Sequence, residues 1–154
     1  MKAKYINPFL SASLNLFKEH LGMDVRSLNP FVRKDPTVLE EVSGIIGLAG
    51  ETTGAVVLSF SRTTAMNIVS VLAGKTYTAL SNEVLDGVGE MVNIIAGNAK
   101  QDLLEFRISI SLPGVIVGAA TRIHWPEGIP VITIPFETSL GGLTVNVSLK
   151  EAVE

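Results

Sequence analysis

Three polar residues at helical spacing are the strongest candidates for chemistry in this sequence. Asp86, Glu90 and Asn93 lie in an otherwise apolar segment that runs from Asn82 to Lys100. At about 100° per residue, Glu90 and Asn93 project roughly 60° apart on a helix, and Asp86 projects between them one turn back. A carboxylate and a carboxamide at this spacing lie about 5–6 Å apart at Cβ. They could therefore act together on one incoming group.

The same periodicity divides the segment into two faces. Gly97 and Lys100 continue the polar stripe, whereas the opposite arc is apolar and consists of Val84, Val88, Met91, Val92, Ile95 and Ala99. Gly87, Gly89 and Gly97 each lower helix propensity by about 1 kcal/mol relative to alanine, which indicates close backbone packing or the approach of a partner. We therefore expect a helix that buries one face and presents the other.

The spacing of the polar residues also resembles a family signature. The stretch Asp86-Gly-Val-Gly-Glu90-Met-Val-Asn93 resembles the Asp/Ser-x-x-x-Glu-x-x-Asn motif of the CheC/CheX/FliY family of bacterial chemotaxis phosphatases. The resemblance extends to the opening segment from Tyr5 to Leu10, to the single copy of the motif and to a length like that of CheX alone. It covers most of the chain and is nearest to the single-motif CheX branch.

This resemblance implies a fold. The expected class is α+β and CheC-like, with a largely antiparallel sheet packed against two long helices plus a shorter helix, in pseudo-duplicated halves. Residues 1–154 are expected to form a single domain. The first predicted helix, Tyr5 to Leu21, has no Glu-x-x-Asn, so we expect one active face per subunit. The resemblance also implies a homodimer.

The function implied by the resemblance is a hydrolase of two-component signalling. It would hydrolyse the aspartyl phosphate of a CheY-type response regulator and end a chemotaxis or related signal. An acyl phosphate is already activated, so the enzyme need only place a water in line and stabilise the spreading charge. The carboxamide of Asn93 suits this task, because its carbonyl accepts from the water while its NH₂ donates. By resemblance, Glu90 pairs with the regulator lysine that otherwise contacts the phosphoryl group.

Three further residues on the stripe, Asp86, Gly97 and Lys100, are expected to contact the partner. Asp86 lies one turn before Glu90, and Gly97 removes a side chain where a partner must approach closely. The resemblance implies no metal site and no cofactor in this chain, since Mg²⁺ belongs to the acidic pocket of the response regulator.

Two other interpretations remain open at this point. The chain could be a noncatalytic module that docks on a response regulator or on a flagellar switch component. Alternatively it could be a structural oligomer, in which the alternating strand Leu143 to Leu149 pairs across a dimer. Binding that survives Asn93→Ala but needs Glu90, without any acceleration of dephosphorylation, would identify the docking module.

Composition narrows the remaining classes. The chain has 154 residues, 47% of them hydrophobic, which suffices for one sizeable core. A net charge of −3 with dispersed Lys and Arg gives no support to nucleic-acid binding. There is no cysteine, which excludes disulfides and thiol nucleophiles. We expect no membrane span, no signal peptide and a cytoplasmic location, and His20 and His124 lack the spacing of a metal pair.

Local signals predict where the elements begin and end. The first helix should stop at Gly22, the second should run between a Ser61 cap and Gly74, and the third should run from a Ser81 cap to about Leu104. Pro135 suggests an edge strand. The segment Phe31 to Asp35 is expected to be a strand or an extended connection. Strands are expected at Val38 to Ala49, Gly54 to Phe60, Ile108 to Leu112, Val115 to Val117, Val131 to Phe136 and Leu143 to Leu149, with Gly141-Gly142 in a hairpin turn.

Overall fold

A computed structural model of the protein describes residues 3–35, 39–104, 107–118, 123–125 and 127–150. The helices are α1 (Ala3–Leu14), which continues as a π-helix over Asn15–His20, α2 (Arg62–Ala73) and α3 (Asn82–Asp102). The strands are β1 (Val25–Ser27), β2 (Phe31–Val32), β3 (Val42–Gly50), β4 (Gly54–Phe60), β5 (Ile108–Ile110), β6 (Gly114–Val117), β7 (Ile132–Thr138) and β8 (Gly141–Leu149).

All strands of the described chain belong to one antiparallel sheet. Its order is β1-β7-β8-β4-β3-β5, with β2 also paired to β7 and β6 also paired to β3. Alternate residues of β8 face the helices and are buried, namely Leu143, Val145, Val147 and Leu149. The predicted α+β class with a largely antiparallel sheet is confirmed.

The long helix α3 lies at the centre of the helical layer. It contacts α1 and α2 on the helical side and β3, β4, β5 and β6 on the sheet side. The helix approaches β3 closely at Gly44, where an added Cβ would lie 3.0 Å from Cγ1 of Val92 and 3.2 Å from Cγ1 of Val88. One arc of α3 is therefore fixed against the sheet, and the opposite arc faces outward.

Strand β8 lies inside the sheet rather than at its edge. Both of its hydrogen-bonding edges are occupied, by β7 on one side and by β4 on the other. The interpretation in which this strand pairs across a dimer is therefore wrong, because a strand offers no free backbone groups once both neighbours are in place.

The turn between β7 and β8 also differs from the prediction. Ser139 and Leu140 form the turn, and Gly141-Gly142 instead opens β8. Gly141 has a φ of 129°, and an added Cβ would lie 2.2 Å from Oγ1 of Thr64. This glycine is therefore required by the close approach of α2, a tertiary contact that a local turn pattern does not register.

Pro135 lies in an internal strand, so its assignment to the sheet edge is wrong. Strand β7 pairs with β8 on one side, while β1 and β2 share the other side. Pro135 falls in the gap between the two short strands, where its carbonyl accepts from the Leu28 amide at 2.8 Å. A residue without an N–H is tolerated there because neither short strand needs that donor.

Several element ends shift from their predicted positions. Helix α1 begins at Ala3 and contains Pro8. The segment predicted over Phe31 to Asp35 forms a strand only at Phe31–Val32. The next strand begins at Val42, and the predicted start at Val38 lies outside the described residues. Helix α3 ends at Asp102 because Leu103 leaves helical geometry, with φ −89° and ψ 66°.

Two glycines of α3 meet different neighbours. A Cβ at Gly87 would lie 2.6 Å from Cγ1 of Val69, a buried residue of α2. A Cβ at Gly89 would meet Pro113 and Val115 at 3.6 Å, which is ordinary van der Waals contact. Gly87 is thus the position at which α2 packs directly on the backbone of α3.

We expect Gly87→Ala and Gly89→Ala to change stability in opposite directions. Overpacking against the stiff side chain of Val69 should make Gly87→Ala lower the free energy of unfolding by about 1–3 kcal/mol. The better helix propensity of alanine should make Gly89→Ala raise it by up to about 1 kcal/mol. Urea unfolding followed by circular dichroism measures both, and equal effects of the two variants would contradict the packing assigned to Gly87.

Candidate functional site

The start of α3 is defined by its own capping residue. Oγ of Ser81 accepts a hydrogen bond from the Val84 amide at 3.4 Å, and Ser81 itself is extended. Glu83 in the first turn and Lys100 in the last turn complement the helix dipole. The predicted cap is confirmed, and it defines where the helix begins.

The two predicted faces of α3 are confirmed by burial. The apolar arc is fully buried at Val84, Val88, Met91, Val92, Ile95 and Ala99. Asp86, Glu90, Asn93 and Lys100 are exposed, and Gly97 is half-buried. The structure therefore places all five predicted site residues along the outward arc of one helix.

The polar groups of this stripe are available to a partner. In the part of the chain that the structure describes, the side chains of Asp86, Glu90 and Asn93 form no hydrogen bond or ion pair with other residues. An incoming group can bind them without first breaking an internal contact. A carboxylate and a carboxamide one turn apart can accept from a cation or a water, and the carboxamide can also donate.

Different elements lie on the two sides of the stripe. On one side a groove of about 300 Å³ separates α3 from α2 and from the loop that follows it, lined by Val69, Leu72, Ala73, Tyr77, Glu83, Asp86, Gly87 and Glu90. On the other side Pro113, between β5 and β6, lies against Gly89, and the neighbouring Leu112 is 90% exposed. The stripe thus lies between an open groove and an apolar loop.

A small polar cluster forms the far end of the groove. The hydroxyl of Tyr77 donates to Oε2 of Glu83 at 2.8 Å, and Nζ of Lys75 pairs with the same oxygen at 3.3 Å. The hydrogen bond from Tyr77, followed by the contact with Lys75, lowers the pKa of Glu83. The same hydrogen bond raises the pKa of Tyr77, because its proton is held by a carboxylate.

The α2 side of the site was not predicted. Val69, Leu72, Ala73 and Tyr77 precede the motif, and only the fold brings them beside it. One signal was present in the sequence, since Gly87 follows Asp86 directly and a glycine inside a helix indicates a close neighbour. That signal does not say which element the neighbour belongs to.

Two further features of the described ranges concern metal ions and membranes. No group of three or more His, Cys, Asp and Glu side chains that could hold a metal ion is found there. None of the helices in those ranges combines the length and apolar character needed to span a bilayer.

The Glu83 cluster gives a pH-dependent prediction. Because the pKa of Glu83 is lowered in the fold, its contribution to stability is present above its unfolded pKa and is lost as the pH falls through the folded pKa. We expect Tyr77→Phe to raise the pKa of Glu83 toward its ordinary value, because it removes the largest single cause of the lowering, and we expect Lys75→Met to raise it as well. Carboxyl-carbon NMR titration of both variants measures this. An unchanged pKa of Glu83 in Tyr77→Phe would contradict the assignment.

Comparison with known proteins identifies the family of this chain. The chain is 26% identical over 126 residues to the CheY-P phosphatase CheX of Thermotoga maritima, covering 80% of this chain and 81% of that protein. A CheC-like superfamily protein from Shewanella sp. PV-4 matches with a TM-score of 0.88 and 28% identity over 98% of this chain and 100% of that one.

A third match is a complex. The CheX–CheY–BeF3–Mg²⁺ structure from Borrelia burgdorferi matches with a TM-score of 0.80 and 28% identity, over 96% of this chain and 98% of that one. The resemblance inferred from the motif and the expected CheC-like fold are thus confirmed. The family model described as chemotaxis phosphatase CheX matches residues 42–137, which include α2, α3 and the polar stripe, and this chain therefore belongs to the CheX family.

Proposed function

We propose that this chain is a phosphatase that hydrolyses the aspartyl phosphate of a CheY-type response regulator. The observation that carries the proposal is the exposed pair Glu90 and Asn93, which lies one turn apart on α3 and has no internal partner within the described chain. Family membership supports the assignment, as does the name of the Thermotoga maritima relative, CheY-P phosphatase CheX.

In this proposal Asn93 positions the attacking water. Its carbonyl accepts a hydrogen bond from the water, and its NH₂ donates toward the phosphoryl oxygens, so the water is oriented without a strong base. The phosphoryl group passes through a loose transition state, for which alignment and charge stabilisation suffice. The buried arc of α3 makes this alignment reproducible, because Val92 and Met91 beside Asn93 are fully buried.

Glu90 serves docking rather than proton transfer. Its exposed carboxylate would pair with the regulator lysine that otherwise contacts the phosphoryl group, as the family resemblance implies. This pair would seat Asn93 in the active site of the partner. Asp86, Gly97 and Lys100 would extend the contact along the stripe.

The metal of the reaction would come from the partner. In the Borrelia burgdorferi complex, CheX is found together with CheY, BeF3 and Mg²⁺. We propose that Mg²⁺ here is likewise held by the acidic pocket of the response regulator. A homodimeric state remains a prediction from the family resemblance, and a cytoplasmic location remains a prediction from the sequence.

The roles of Asn93 and Glu90 predict different kinetic effects. We expect Asn93→Ala to lower the saturated dephosphorylation rate about 100-fold or more while leaving the affinity for the regulator unchanged, because it removes only the carboxamide that positions the water. Glu90→Ala should instead weaken binding of the beryllofluoride-activated regulator about tenfold or more. The measurements are decay of ³²P-labelled regulator and calorimetric titration.

Asn98→Ala is the matched control for these variants, since Asn98 lies on the same helix about 140° away from Asn93. Its rate and affinity should stay at the level of the unmutated protein. Binding without any acceleration by the unmutated protein would contradict the phosphatase and favour the noncatalytic docking module. Equal losses in Asn93→Ala and Asn98→Ala would contradict the role of Asn93.

Gly97 gives a test of close approach by the partner. A Cβ at this position would meet no atom within 4 Å, so Gly97→Ala should raise the free energy of unfolding by up to about 1 kcal/mol. Gly97→Leu should fold equally well but weaken regulator binding about tenfold. Urea unfolding and calorimetry measure the two effects, and undiminished binding by Gly97→Leu would place the partner contact elsewhere.

A further inference from the structure

The groove between α2 and α3 combines an apolar floor with an acidic rim. Val69, Leu72 and Ala73 of α2 and the ring of Tyr77 line one side of it. Asp86 and Glu90 stand on the α3 side, one turn apart. The groove therefore opens directly beside the polar stripe and shares Asp86 and Glu90 with it.

The charge on the rim is unbalanced near the stripe. Glu83, at the far end, is compensated by Lys75 and by the hydroxyl of Tyr77. Asp86 and Glu90 have no such partner among the described residues. Lys100, the basic residue of the stripe, lies fourteen residues from Asp86 along α3, about 21 Å at 1.5 Å per residue. This end of the groove is complementary to a cation.

We infer that the groove is a specificity pocket for one long cationic side chain, a lysine or arginine of the response regulator. Its methylene stem would lie on Leu72, Ala73 and Tyr77, and its charged head would pair with Asp86. Lysine and arginine bury their stems along apolar surface while the head stays polar, which is the division found in this groove. The inference rests on the proposed function. It assigns Asp86 a basic partner that is separate from the regulator lysine proposed to pair with Glu90.

The pocket is formed before any partner arrives. The absence of a side chain at Gly87 lets α2 pack onto the backbone of α3, which sets the depth of the floor. The contacts from Tyr77 and Lys75 to Glu83 hold the loop after α2 against the start of α3. A preformed pocket of this kind selects a partner at little ordering cost. Because Asn93 is not among the residues that line the pocket, the pocket should act on binding and leave the chemical step unchanged.

The test compares a variant that fills the groove with one that removes its charge. Ala73 is exposed, so Ala73→Trp should fold and occlude the floor, and Asp86→Asn removes the head-group partner. Val71→Trp is the matched control, since Val71 is 43% exposed on the opposite face of α2. For each variant we would measure KM and the saturated rate with a phosphorylated CheY-type regulator of the same organism, and the Kd for its beryllofluoride–Mg²⁺ form.

We expect Ala73→Trp to raise KM and Kd about tenfold, and Asp86→Asn to raise them about fivefold, the effect of one exposed ion pair. The saturated rate should stay within about twofold for both variants, because they lie outside the chemical step. The combined variant should lose less than the sum of the two, since both changes act on one side chain. Val71→Trp should change nothing.

Other outcomes separate this inference from the proposed function. An active protein whose KM and Kd are unchanged by Ala73→Trp would overturn the pocket and leave the phosphatase in place. Equal losses in Ala73→Trp and Val71→Trp would also overturn it. An inactive protein that still binds the regulator would overturn the phosphatase, while the Kd values of the variants would still decide the pocket.

The basic residue that enters the groove can be identified by substitutions in the response regulator. Each surface lysine and arginine of the regulator around its phosphorylation site would be replaced by alanine. One replacement should weaken binding to the unmutated protein about fivefold and have no effect in the Asp86→Asn background. If every basic residue behaves the same in both backgrounds, Asp86 has no cationic partner and the inference is wrong.

Discussion

The geometry of the proposed site depends on how the buried arc of α3 packs on β3. Gly44 of the strand leaves room for Val88 and Val92 of the helix to lie 3.0–3.2 Å from where its Cβ would stand. This contact fixes both the height and the rotation of α3 above the sheet. Since Glu90 and Asn93 have no internal partners among the described residues, the buried side of the helix is what holds them in place.

A site built in this way suits chemistry that is completed by a second protein. The phosphoryl group, the metal and the acidic pocket would all arrive with the regulator, so this chain would supply one carboxamide and one carboxylate at a defined spacing. Exposed groups on a regular helix avoid the cost of burying a charge, and their geometry comes from the backbone. The fold must therefore hold these groups rigidly, but it does not need to enclose them.

The surroundings of the helix are asymmetric, which bears on selectivity. The approach of α2 at Gly87 creates an apolar groove with acidic residues on its rim, whereas the loop at Pro113 covers the other side of α3. A partner that contacts the stripe would meet both surfaces at once. Reactivity would thus reside in the stripe, and recognition in the elements on either side of it.

The sequence by itself determined the features that depend on local geometry. Helical periodicity identified the exposed stripe of Asp86, Glu90 and Asn93, and the Ser81 cap located its start, because both follow from contacts within a few residues. Only the tertiary structure decided that Val69 packs against Gly87, that no side chain of the described residues packs against Gly97, and that β8 is an internal strand. Those outcomes depend on which distant segments meet, and a side-chain pattern along one segment does not identify its neighbours across the sheet or the helical layer.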